Sequence, residues 1–224
     1  MMDQSPSGGG GMSSMGGMDM SSLADRLRRL ATLDTSVFEE VRTDTTATVP
    51  AIIVAVVATL LSGIGGWLWW IFTDLPDAGD IFLKSTIIGS IISVVLWGVW
   101  LGITYVILTQ VFRARADMNE MVRVMGFAAA PLALSLFIFI PELEFAIGLS
   151  AVMLFFGANV IAVQTATDAP AGRVLVATAA GFLVWAVVLS LLVSEDNIYA
   201  PGFFVFESGV EYLRDIGAVF EAFE

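Results

Sequence analysis

Few side chains in this sequence can do chemistry, and those few are mild. His and Cys are both absent, which removes the commonest general base and metal ligand together with disulfides, thiolate zinc sites and iron–sulfur clusters. Thioethers at Met12, Met15, Met18 and Met20 belong to the ligand type that binds copper(I). No Cys or His accompanies them, so they read as part of a flexible leader, and no metal or cofactor is expected. Within the apolar stretches the polar groups are Thr59, Ser62, Ser90, Ser93, Thr104, Tyr105, Asn159 and Gln164. Most of these can bond back to their own helix. Asn159 is the best placed for a bond between helices, worth about 0.6–2 kcal/mol. None of them earns a catalytic role.

The elements that must position these groups are set by composition. The 224 residues are 57% hydrophobic and 14% charged, against about 45–50% and about 25% in ordinary soluble domains. The apolar residues come in runs too long to hide in one soluble core, which excludes a water-soluble enzyme. Five runs reach spanning length: 51–72, 85–108, 124–140, 145–163 and 174–193. The expected fold is therefore all-α, a polytopic transmembrane helix bundle with five spans over residues 49–193. The third run has 17 residues. At about 1.5 Å per residue it covers about 25 Å of a hydrocarbon core of about 30 Å. With Pro141, Glu142 and Glu144 beyond it, the third and fourth runs form a tight hairpin.

Amphipathic helices are expected at both ends. Residues 1–22 are nearly all Gly, Ser and Met and form a disordered tail that lacks the apolar core of a signal peptide. Over 23–48, Leu23, Leu27, Leu30 and Leu33 recur at helical spacing with Arg26, Arg28 and Arg29 beside them. Ser36 and Glu39 make a capping box ahead of a short second helix. In the acidic tail 194–224, Phe206, Val210, Leu213 and Phe220 share one helical face, with Glu207, Glu211, Asp215 and Glu221 off it. That face would dock on the outer surface or on a partner.

Charge gives an orientation. Arg26, Arg28, Arg29, Arg42, Arg113, Arg115, Arg123 and Arg173 fall on the N-terminal side, and only Lys84 and Arg214 on the other. The positive-inside rule then puts the N-terminus in the cytoplasm and the C-terminus outside a cell membrane. Trp67, Trp69 and Trp70 mark the outer interface. Of the formal charge of −12, most belongs to the outer segments, beginning with Asp74, Asp77 and Asp80. Nucleic acid is a poor partner for such a face. The acidity suits either a high-salt environment, where screening removes self-repulsion, or a face that binds cations or a basic partner.

Small residues are spaced for close helix contact: Gly98 with Gly102, Ser62 with Gly66, and Ala177 with Gly181. They serve packing within the bundle or dimerisation.

The third run carries a family resemblance. Arg123-Val-Met-Gly126-Phe127-Ala-Ala-Ala-Pro131, followed by Ile140-Pro141, resembles the Gly-aromatic-x-x-x-Pro…Ile-Pro signature of the Yip family, five-span proteins named for interacting with Ypt/Rab GTPases. The Phe38-Glu-Glu-Val-Arg-Thr-Asp44 leader, the Ala162-Val-Gln-Thr-Ala-Thr-Asp168 exit from the fourth span and the N-inside layout are similar to prokaryotic members. The resemblance covers about residues 34–193. Physically, Pro131 removes a hydrogen bond to the carbonyl of Phe127 and should kink the third helix, while Gly126 offers a smooth face to a neighbour. The Asp-Leu-Tyr-Gly-Pro motif of eukaryotic members is not present, so a Rab-binding role does not carry over.

No Asp, Glu, Lys, Arg or His lies inside the five runs, which argues against a pump or proton-coupled carrier. The expected function is therefore association without catalysis: a scaffold, a subunit of a membrane complex, or a membrane-organising factor. Its partners would be the lipid bilayer and another membrane protein or a second copy. The alternative is a passive channel or small-solute permease with an acidic outer entrance.

Overall fold

A computed structural model of the chain describes residues 20–73, 77–140, 142–194 and 197–198. The fold is all-α, with five helical stretches long and apolar enough to cross a membrane: Thr45–Phe72, Ala78–Val111, Met118–Phe139, Glu144–Thr165 and Ala171–Leu191. The thioethers Met12, Met15 and Met18, Asp74, Pro141, and the face of Phe206, Val210, Leu213 and Phe220 lie outside the described residues.

The chain enters through two short helices. Helix α1 (Met20–Ala31) begins three residues before the expected start. It ends in a Schellman turn, with the Leu33 N–H donating to Leu30 O at 2.9 Å and the Asp34 N–H to Arg29 O at 3.0 Å. Leu33 takes the left-handed position at φ 61°, so it leaves the helical leucine face instead of extending it. Helix α2 (Ser36–Thr43) buries Val37, Phe38 and Val41. Its cap differs from the expected Ser36–Glu39 box. Asp34 Oδ1 accepts from the Ser36 N–H at 3.0 Å and from the Ser36 hydroxyl at 2.5 Å, because a carboxylate two residues before the helix reaches the free amide first.

Helix α3 (Thr48–Phe72) is the first span. The second is longer than its apolar run. A short α4 (Ala78–Ile81), a wide π turn over Phe82–Gly89, α5 (Ser90–Val106) and a second π turn at Ile107–Val111 are continuous. The C-terminal end of α3 is clamped to it, since Trp67 Nε1–H donates to Ala78 O at 2.9 Å and its ring meets Phe82 edge-on.

The third span departs most from expectation. Helix α6 (Met118–Phe127) stops at the motif, and after Ala128 and Ala129 the chain rewinds as a 3-10 segment over Ala130–Phe139. Pro131 therefore does more than kink a helix. Rewinding ten residues from about 1.5 to about 2.0 Å of rise each adds about 5 Å, which brings the 17-residue run from about 25 to about 30 Å. Helices α7 (Glu144–Thr165) and α8 (Ala171–Leu191) complete the bundle, and a two-residue ladder pairs Val193–Ser194 with Asn197–Ile198.

Loops 112–117 and 166–170 meet on the face that carries α1 and α2. The Arg115 N–H donates to Asp168 Oδ1 at 2.8 Å and the Thr167 hydroxyl to Arg115 O at 2.9 Å. This common N-terminal face follows from antiparallel neighbours joined by short connections. In the middle, Trp100, Phe155, Phe182 and Trp185 form an aromatic cluster, and Trp100 Nε1–H reaches Thr178 O at 2.8 Å.

Candidate functional site

The motif of the third span and the N-terminal helices build one site. Arg123 stands midway along α6, where the apolar run begins, and is only 6% exposed. Its Nε–H donates to Val41 O and Arg42 O, both at 3.1 Å, and its Nη2–H to Arg42 O at 2.6 Å. A cation thus satisfies the last carbonyls of α2, where the helix dipole is negative. One turn further, a Cβ on Gly126 would lie 2.6 Å from Ala51 O and 2.7 Å from Ala51 Cβ, so only glycine lets α6 touch α3 here. The Phe127 ring is fully buried, and the Arg26 guanidinium lies over it, 6.0 Å from its centroid.

An ion-pair network holds α1 onto α2. Arg26 pairs with Glu40 at 2.8 Å and Asp44 at 2.7 Å, and Arg29 pairs with Glu40 at 2.7 Å and Asp34 at 2.9 Å. Arg42 links Glu39 to Glu120 on α6, the latter at 3.3 Å. Every charged residue of the 38–44 leader is therefore used. Hydrogen bonds from Ser36, then the Arg29 guanidinium, hold the Asp34 carboxyl at about 2, below its ordinary 3.8. Glu40 is lowered by Arg26 and Arg29, and Asp44 by Thr46 and then Arg26. Burial pushes the Arg26 guanidinium down, but its bonds to Asp44 and Glu40 outweigh that and leave it raised.

Beneath α1 the same elements enclose an apolar groove of about 720 Å³. Leu27 and Leu30 roof it, Val57 and Leu61 form one wall, Pro131 and Leu134 another, and Met153 and Ile161 of α7 the third. Among the described residues that line it, Thr35 is the sole hydroxyl or charged one. By contrast, the gap at the aromatic cluster, lined by Thr59, Ser93, Trp97 and Trp185, has no room for a water molecule.

The expected packing residues divide. Ser62, Gly66 and Ala177 are buried, and Gly181 abuts the ring and backbone of Trp100. Gly98 and Gly102 do not pack inside the bundle. A Cβ on either would meet nothing within 4 Å, because their side of α5 turns away from its neighbours. Asn159 is also corrected: its Nδ2–H donates to Phe155 O on its own helix at 2.8 Å. Bonds between α3 and the second span come instead from the hydroxyls of Thr86 to Gly63 O at 3.0 Å and of Ser90 to Thr59 O at 3.4 Å. The sequence offers Arg26 only as a flanking charge, Arg123 only as the head of the motif, and Gly65 not at all; packing alone gives them their roles. The signal for Arg123 was an arginine opening an apolar run. Gly65, packed against the backbone of Ser135 and Leu136, gave none.

Comparison with known proteins supports this architecture. No curated protein and no solved structure gives a match. The Yip1 domain family matches residues 32–194, which runs from the turn after α1 through the fifth span and includes the whole motif. The chain is a multi-pass membrane protein, and it belongs to the Yip1 domain family.

Proposed function

We propose that this protein works by association within the membrane, as a non-catalytic scaffold, complex subunit or membrane-organising factor, with its N-terminal face in the cytoplasm. The observation that carries the reading is the Gly98–Gly102 face. Gly65, Gly126 and Gly181 are each pressed against a neighbouring element, whereas Gly98 and Gly102 stand clear. A small-residue pair on a helix surface lets a second backbone approach closely, and here that surface points out of the bundle. The orientation rests on the arginine excess of the N-terminal face, where Arg113, Arg115 and Arg173 join those of α1 and α2. The acidic C-terminal segment 202–224 would add a second contact on the opposite face.

The test uses the full-length chain, tagged at its N-terminus and crosslinked in native membranes, with co-purifying proteins identified by mass spectrometry. A stoichiometric complex, homomeric or heteromeric, should be recovered and should be lost in the Gly98→Ile, Gly102→Ile double variant while the bundle stays inserted. Recovery of the monomer alone from both would overturn the reading. Solute flux above that of empty vesicles would favour a passive pore.

A further inference from the structure

We propose that the groove beneath α1 is a phospholipid site, taking one acyl chain between the 3-10 segment and α7 with an anionic headgroup beside Arg28. It stands apart from the association reading, which concerns α5.

The ligand class follows from where the groove lies. Val57, Leu134, Met153, Leu154 and Ile161 line it and are also exposed on the outside of the bundle, so it opens sideways into hydrocarbon. Water would find almost no hydrogen-bond partner there, and an empty groove would forfeit dispersion contacts along its walls. An acyl chain is the apolar molecule that surrounds this opening.

Its depth agrees. On α3 the lining runs from Ile53 to Leu61, and on α7 from Met153 to Ile161. Eight helical steps span about 12 Å, close to one leaflet of a hydrocarbon core about 30 Å thick. The groove therefore ends near the bilayer midplane and begins under α1 on the N-terminal face. The floor is built from Ala58, Ala128, Ala130, Ala133, Gly157 and Ala158. A Cβ on Gly157 would meet nothing within 4 Å, so side chains are withheld where a chain would lie.

The headgroup end is set by charge. Arg26 and Arg29 are committed to carboxylates of the cap. Arg28 is exposed, has no ion pair among the described residues, and directly follows the roofing residue Leu27. A cation at the interface beside an acyl-chain site selects an anionic lipid.

The experiment places the full-length chain in vesicles of phosphatidylcholine and phosphatidylglycerol. A trace phosphatidylglycerol or phosphatidylcholine carries a diazirine on its acyl chain, and adducts are mapped by mass spectrometry after photolysis. Adducts at Leu134 and Met153 should exceed those at Val176 and Leu183, comparably exposed on α8 and outside the groove, by about fivefold or more. Gly157→Phe should lower them about fivefold, with Met153→Trp as a second filling variant if the first fails to fold. Val187→Phe, on an exposed side of α8 outside the groove, should leave them unchanged, and Arg28→Glu should abolish the preference for the anionic probe. Equal labelling of the two faces would reduce the groove to ordinary boundary lipid. Labelling that survives both filling variants would overturn the site. A disulfide between cysteines placed by M18C and L134C would do so too, marking the chain's own leader as occupant if formed within one chain and a second copy if formed between chains.

Discussion

Arg123 and Arg42 are joined by a hydrogen bond from the guanidinium Nη2–H of the first to the backbone carbonyl of the second, 2.6 Å long and partly buried. Two residues 81 apart in the chain thereby tie the foot of the third span to the end of α2. A buried guanidinium meets two peptide carbonyls, so the contact depends on the donor fork as much as on charge.

Replacing Arg123 with Gln should cost about 1.5–3 kcal/mol, the range for hydrogen bonds to charged groups. The loss should show as faster amide exchange over α2, with the spans unchanged. Unaltered exchange at Val41 to Asp44 would show that the guanidinium contributes no net stability there.

The cap should be acid-sensitive with a definite sign. Asp34, Glu39, Glu40 and Asp44 all have lowered pKa values in the folded chain. Their contribution is complete above the unfolded values of about 3.9 for Asp and 4.3 for Glu, and it fades as pH falls through the folded ones, near 2 for Asp34. Spin labels introduced through A24C and T43C, in a chain with no other cysteine, should report a constant α1–α2 distance from about pH 7 to 5 and a broadening one below about 4. A distance distribution that is the same at pH 7 and at pH 2 would contradict the ion-pair account.

Glycine substitutions should separate by site. Gly126→Ala puts a Cβ against the Ala51 backbone, and Gly65→Ala puts one against Ser135 O. Neither backbone can swing aside, so each should cost about 1–3 kcal/mol. Gly98→Ala meets nothing within 4 Å and should stay within about 0.5 kcal/mol of the parent. Thermal melting of the purified protein in detergent ranks the three, and equal melting temperatures would refute the packing argument.

The clasp between loops 112–117 and 166–170 should guard a cleavage site. Asp168→Ala removes the acceptor of the Arg115 amide, next to Arg113 at φ 53°. Trypsin should then cut after Arg113 and Arg115 several-fold faster, and from the same side of sealed vesicles as it cuts in α1. Cleavage from opposite sides would break the topology.

The spans could be read from one dimension because the hydrocarbon core imposes a local rule. Each of 51–72, 145–163 and 174–193 had to be apolar along its length, whatever lay beside it. The amphipathic character of α1 and the importance of Gly126, Phe127 and Pro131 were legible for similar reasons, since periodicity, a missing side chain and a missing N–H are properties of the residue itself. The depth of that motif was not. Its meaning depends on Ala51, Arg26 and the α2 carbonyls, each more than 70 residues away in sequence.

Only the tertiary structure could decide which residues had neighbours. Gly98–Gly102 and Ala177–Gly181 read alike as small-residue pairs, yet only the second faces another helix. Asp34 displaced Ser36 as the cap of α2 through the local path of the Schellman turn, and Asn159 turned back on its own helix. Sequence by itself determined that this chain crosses a membrane five times and which of its residues were unusual. Packing decided what those residues touch, because contact energies fall off within a few ångströms and only the folded chain sets those distances.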